Sequence, residues 1–144
     1  MRPDKALADL RKADPVLARV IDAQPGFDPR AWLADLPPMD AFGALVLQVI
    51  GQQLSVRATR RILNRLHDLF GGALPTPKAL LATAPEELRM VGLSGRKIAT
   101  LREIAQRFAD GRWREEELRN LSHREVEERL TTVSGIGPWT VQGF

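Results

Sequence analysis

Apolar residues recur at three- and four-residue intervals along almost the whole chain, and no stretch sustains the alternation of a strand, which predicts an all-α protein of short helices. Two N-terminal helices are expected near Lys5 to Lys12 and Pro15 to Ala23, followed by a connection containing Pro25, Pro29, Pro37 and Pro38. Asp40 then caps a helix in which Phe42, Leu45, Val46, Val49 and Ile50 are apolar, a spacing that predicts burial. Past Gly51 to Ser55 a second helix runs to about Phe70, with Ile62, Leu63, Leu66 and Leu69 facing inward and Arg57, Arg61 and Arg65 stacked at four-residue steps. Gly71 and Gly72 end it. Thr76 before Pro77 starts a short helix, and Thr83 to Glu86 repeats the start signal. After the break at Gly92 to Ser94, Ser94 caps a long amphipathic helix through Ile98, Leu101, Ile104, Ala105 and Phe108, and Ser122 with Glu125 forms a capping box for the helix that leads to Val133. Leu88 to Ile98 faintly echoes Leu130 to Thr140, as any two helix-turn-helix units would.

Composition narrows this picture. The 144 residues suit one domain with its own core. The absence of cysteine excludes disulfides and thiolate metal sites, and the two histidines, His67 and His123, are too few for a side-chain metal centre and read as surface residues. Met1 to Ala13 is charged throughout, unlike a signal peptide, and no apolar stretch approaches membrane-spanning length, so no membrane partner and a cytoplasmic location are expected. The net charge of +3 is carried largely by arginine at a sequence pI near 9.9, which suits a polyanionic partner. Arginine bias also follows from genome composition, so charge alone leaves nucleic-acid binding open.

The segment that carries chemistry is "VSGIGPW", Val133 to Trp139. Glycines on both sides of Ile136 permit positive φ angles, so one helix can stop, reverse and restart at Pro138, with Ile136 plugged into the core. Such a turn exposes backbone amides at a helix start and makes a phosphate site without side-chain charge. An ordinary Schellman stop between two helices is the competing reading of the same residues.

With "VIGQQLS" (Val49 to Ser55) and "GLSGRKIATLREIA" (Gly92 to Ala105) preceding it in the same order, this hairpin resembles the helix-hairpin-helix DNA glycosylase superfamily, and within it the DNA-3-methyladenine glycosylase II branch, over about Asp40 to Phe144. The resemblance implies an all-α, two-lobed helical fold. Residues 1–37 would belong to a lobe completed by C-terminal helices missing from this chain, 38–119 to a central bundle, and 120–144 to a truncated helix-hairpin-helix. It implies that Gln52, Gln53, Leu54 and Ser55 enter DNA where the damaged nucleotide has left the stack, Gln53 being the plug, and that amides at Gly135 and Gly137 hold a phosphate. The backbone carbonyls of Thr131, Val133 and Ile136 would hold a structural Na or K ion, with no catalytic cofactor.

Trp139 stands where relatives with a nucleophilic lysine carry that lysine, which implies a monofunctional hydrolase that leaves the strand intact. Its indole would line the base pocket and attract cationic alkylated purines by about 0.5–2 kcal/mol, with Gly143, one turn on, widening that pocket. Simple core packing is the alternative for Trp139, and a polar helix end the alternative for Gln52 to Leu54. The family's catalytic aspartate is expected beyond Phe144, so none of these 144 residues is catalytic and the chain is expected to be inactive alone. The function implied is hydrolysis of the N-glycosidic bond of alkylated bases such as 3-methyladenine in damaged double-stranded DNA, by a monomer. A noncatalytic DNA-binding module and a helical protein-interaction domain are the competing classes, the latter with no salt-dependent affinity for DNA.

Overall fold

The computed structural model describes residues 3–28, 31, 36 and 38–144. Pro29 and Pro37 of the expected connection lie outside the described residues. The chain divides into two compact units, Met1–Pro37 and Pro38–Phe144. In the first, α1 (Pro3–Ala13) and α2 (Pro15–Ala23) pack together, joined by an Arg11–Asp22 ion pair at 2.5 Å. Asp14 makes the junction, its carboxylate accepting the amides of Val16 at 2.6 Å and Leu17 at 3.2 Å while Pro15 opens α2.

The second unit is built around α3 (Ala41–Gly51), whose side chains Leu45, Val46, Val49 and Ile50 have no exposed surface. A helix apolar on nearly all sides belongs in a core, and here α4 (Val56–Leu69), α7 (Gly95–Ala109) and α8 (Glu115–Asn120) surround it. The short helices α5 (Pro77–Ala82) and α6 (Pro85–Met90) lie on α7. Phe42, Phe108 and Trp113 close one end of the core edge to face, with ring centroids 5.5 and 5.8 Å apart, and the Arg107 guanidinium lies 5.1 Å above the Trp113 ring. The chain ends in α9 (His123–Leu130), a reversal, and α10 (Pro138–Gln142). Among the described residues there is no strand, and no helix is long and apolar enough to cross a membrane.

The caps form at Asp40, Ser55, Thr76, Ser94 and Ser122, where each side-chain oxygen accepts an amide of the first turn. Two expectations are corrected. Thr83 does not start α6: it ends α5, donating its hydroxyl to the Ala79 carbonyl at 2.9 Å, while α6 starts through Pro85 and the Glu87 carboxylate, which accepts the Ala84 amide at 3.1 Å. Leu69 is 37% exposed rather than inward-facing, because six residues past Leu63 place it roughly 120° round the helix from the core side.

In the capping box of α9, the Glu125 carboxylate accepts both the hydroxyl and the amide of Ser122, at 2.5 and 2.7 Å, and these bonds lower its pKa. A carboxylate with a depressed folded pKa stabilises above its unfolded value and loses that contribution as pH falls through the folded one. Ser122→Ala is therefore expected to lower the thermal midpoint at neutral pH, with a gap from the parent that narrows in acid. A pH-independent gap in melting curves would show that Glu125 takes no part.

Candidate nucleic-acid interface

Two turns carry the residues singled out above. The first, Gln52 to Ser55, joins the end of α3 to the start of α4. Gln53 stands at its tip with φ 57°, the one non-glycine residue with positive φ among those described, and its side chain is exposed. A left-handed conformation costs an L-residue about 1–2 kcal/mol, so the surrounding bonds must hold it. Lys97 supplies two of them, its ammonium donating to the carbonyls of Ile50 at 2.7 Å and Gln52 at 3.0 Å at the C-terminal end of α3. Partial burial lowers the pKa of that ammonium. Leu54 is 39% exposed, and Ser55 caps α4 through the Ala58 amide at 3.3 Å.

The second turn is the hairpin between α9 and α10. Gly135 has φ +95°, as a reversal here requires, but Gly137 does not share it: at φ −106° it is the residue from which α10 starts, a conformation open to any side chain. Of the two glycines that permit positive φ only Gly135 uses it, because one left-handed residue suffices to turn the chain before Pro138. Ile136 is buried at 5% exposure, as a plug into the core. The Ile136 amide bonds inside the turn to the Val133 carbonyl at 3.1 Å, whereas the amides of Gly135 and Gly137 donate to no acceptor among the described residues. Both therefore remain open to an external anion.

The structure joins these turns directly. The Gln52 side-chain amide donates to the Gly135 carbonyl at 2.8 Å and to the Thr140 hydroxyl at 2.9 Å, so Gln52 braces its own turn against the hairpin and only Gln53, Leu54 and Ser55 present themselves outward. From α7, Thr100 donates its hydroxyl to the Ser134 carbonyl at 2.8 Å, and Arg107 donates to the Thr132 hydroxyl at 2.6 Å. Lys97 and Thr100 lie one turn apart, so a single helix grips both turns. Neither was singled out from sequence, where both read as ordinary positions of an amphipathic helix.

Trp139 is 85% exposed and takes no part in the core of this unit. Gly143 lies against α3 instead: its carbonyl accepts the Gln48 side-chain amide at 2.6 Å, and a Cβ there would come within 2.5 Å of Gln48 Oε1. Gln48 was missed too, although it is the one strongly polar residue inside an otherwise apolar α3. The carboxylates of α9 serve the protein itself, Glu125 in the capping box and Glu128 in an ion pair with Arg124 at 2.9 Å. Among the described residues, no group of His, Cys, Asp and Glu side chains is arranged to hold a metal ion.

Residues 46–136 match the family model described as HhH-GPD superfamily base excision DNA repair protein. The chain is similar to DNA-3-methyladenine glycosylase 1 of Schizosaccharomyces pombe, 37% identical over 105 residues, covering 72% of this chain and 46% of the relative. It is similar to DNA-3-methyladenine glycosylase 2 of Escherichia coli at 28% identity, covering 74% of this chain and 40% of the relative. Among solved structures, the S. pombe 3-methyladenine DNA glycosylase in complex with abasic DNA superposes with a TM-score of 0.81 at 32% identity, covering 96% of this chain and 67% of that one. The chain thus spans about half the length of the curated relatives it matches.

Proposed function

We propose that this chain, which belongs to the HhH-GPD superfamily of base excision DNA repair proteins, is the lesion-reading part of a DNA glycosylase that hydrolyses the N-glycosidic bond of alkylated bases such as 3-methyladenine in duplex DNA. The observation that carries the reading is the brace at Gln52, which fixes an exposed, left-handed Gln53 at a set distance from a hairpin with two open amides. A base cannot be reached inside the stack, so an enzyme acting on it must hold the backbone and fill the hole left by the extruded nucleotide. The hairpin is suited to the first task, since phosphate contacts set register without reading sequence. The Gln53 side chain is suited to the second, and filling the hole offsets part of an unstacking cost of a few kcal/mol.

Trp139 supplies no amine, so no Schiff base forms at that position, and the cleavage is hydrolytic and leaves the strand whole. Its exposed indole offers a face to a cationic alkylated purine, whereas Gly143 is packed against Gln48 and adds no room beside it. Loss of the base develops positive charge on the sugar, which a nearby carboxylate stabilises while water attacks. None of these 144 residues is assigned that task. Excision is thus proposed for the whole protein, and the chain by itself is expected to bind lesion-containing DNA as a monomer without cleaving the bond. The carbonyls of Thr131, Val133 and Ile136 suit a Na or K ion, being neutral oxygen donors within six residues of chain at the reversal, with a second lone pair left on Val133 after its bond to Ile136. Such an ion would add positive charge beside the phosphate.

The reading is tested by comparing binding of this chain to a duplex containing an abasic-site analogue and to its intact counterpart, and by assaying the whole protein for base release from alkylated duplex. A preference for the analogue with release of free base and an unbroken strand is the expected result. Equal binding to both duplexes would overturn it, and lesion binding without release by the whole protein would leave a noncatalytic DNA-binding module.

Gly137→Val separates the hairpin's part from the rest. A Cβ at Gly137 meets nothing within 4 Å and the backbone there is unstrained, so stability is expected to hold. Affinity for intact and lesion-containing duplexes should fall alike, by about tenfold, or 1.4 kcal/mol. Undiminished binding by the folded variant would remove the hairpin from the interface.

A further inference from the structure

The plug turn does not stop at Ser55. Ser55 also forms one end of a surface groove that runs along α4 past Arg57, Arg61 and Arg65 to the turn at Gly92, floored by Ala58 and Ile62. All three arginines are exposed, and among the described residues no carboxylate lines the groove. None of the three is paired among the described residues, whereas Arg89, Arg107, Arg112, Arg119, Arg124 and Arg129 each hold an acidic partner. At least six of the thirteen arginines of this unit are thus neutralised within the protein, and the stripe that starts beside the plug is left open. The glycine at 92 matters to its shape: at φ +106° the turn folds back so closely that a Cβ would meet Ile62 Cγ1 at 3.3 Å and Arg65 Nη1 at 3.8 Å. The turn walls the groove without adding a side chain to it.

We propose that this groove binds the sugar-phosphate backbone of the duplex flanking the lesion, as a second anchor beside the hairpin; the proposal rests on the DNA-binding reading above. Four residues of helix rise about 6 Å, so the guanidinium groups repeat along about 12 Å of α4, a length that a DNA strand fills with three or four phosphates. Planar guanidinium groups suit that partner, since each can hold phosphate oxygens through two parallel bonds. The apolar floor of Ala58 and Ile62 leaves the arginines as the groove's charged contacts, and backbone contacts of this kind carry no base preference. The stripe therefore adds affinity and footprint, not lesion choice.

The test is salt-dependent binding by the triple variant R57Q/R61Q/R65Q, compared with a control, K78Q/R114Q/R124Q, that removes the same charge elsewhere. Each phosphate neutralised contributes about 0.9 to the slope of log affinity against log salt. The stripe variant is expected to lose about 2–3 from that slope and at least tenfold in affinity, equally for intact and abasic-analogue duplexes, while the control loses less than 1 from the slope. Shortening the duplex on one side of the lesion should weaken the parent and leave the stripe variant unaffected. The proposal is overturned if the folded variant keeps the parental slope, if control and variant lose equally, or if only lesion preference falls. An acidic protein partner for the groove would give the first of these results. If the parent itself binds no duplex, the DNA-binding reading fails first, and the groove proposal with it. R61Q alone, with a slope loss of about 0.9, provides the same test with a single exposed change.

Discussion

Gly135→Ala is expected to lower the stability of the Pro38–Phe144 unit by roughly 2–4 kcal/mol, combining a backbone and a steric cost. The backbone cost follows from φ +95°, where an L-residue is disfavoured by about 1–2 kcal/mol. The steric cost follows from Thr100: a Cβ on residue 135 would lie 2.3 Å from its Oγ1. That oxygen cannot step aside without giving up its bond to the Ser134 carbonyl, and Thr100 is only 4% exposed, so no water replaces the lost partner. Urea denaturation of the single variant, of Thr100→Ala and of the double variant separates the two costs. The double variant should recover the steric part and keep the backbone part. A Gly135→Ala protein within about 0.5 kcal/mol of the parent would show that the hairpin relaxes freely, and a freely relaxing hairpin is no fixed phosphate site.

Gln53→Gly should have the opposite profile: unchanged or slightly raised stability with a large loss of lesion preference. Glycine occupies φ 57° without the penalty that glutamine bears there, so the variant gains up to about 1 kcal/mol from relief of strain. The same change removes the side chain proposed to fill the hole in the base stack. Preference for an abasic-analogue duplex over intact duplex is expected to drop by about tenfold or more, equivalent to at least 1.4 kcal/mol of the few that unstacking costs. Gln53→Ala should lose the same preference and keep the strain, which separates the filling side chain from the backbone shape. The measurement is the ratio of dissociation constants for the two duplexes at one salt concentration. A preference that survives both substitutions would assign the plug to Leu54, which is exposed beside it.

The brace at Gln52 couples the two turns in one direction only. Gly135 and Gln53 belong to turns that touch through Gln52, so damage to the hairpin reaches Gln53 through the lost anchor at the Gly135 carbonyl. Replacing Gln53 leaves that bond in place. Lesion preference should therefore suffer in both variants, but stability in only one.

Much of this molecule is written locally in its sequence. Asp40, Ser55, Thr76, Ser94 and Ser122 begin helices because each oxygen reaches an amide two or three residues on, so the pattern that encodes the cap lies within one turn of it. The run from Phe42 to Ile50 marks the core helix because its apolar positions leave no polar side to face water. The reversal before Pro138 was equally legible, though which glycine carries the positive φ was not, because a Gly-x-Gly pair allows either. Thr83 was misread because its hydroxyl bonds back to the Ala79 carbonyl and ends α5, and Leu69 because six residues past Leu63 it has left the core side of α4. What no local pattern contains is the joining of the Gln52 turn to the hairpin. Gln52 meets partners 83 and 88 residues away, and Lys97 meets carbonyls 47 and 45 residues away. A glutamine at a helix end and a lysine in an amphipathic helix bond to water in most settings, so their residue types predict nothing about these contacts. Only when α3, α7 and the hairpin bury their apolar sides against one another are the carbonyls of Ile50, Gln52 and Gly135 brought within reach, and the long-range hydrogen bonds then fix the geometry that the core made possible.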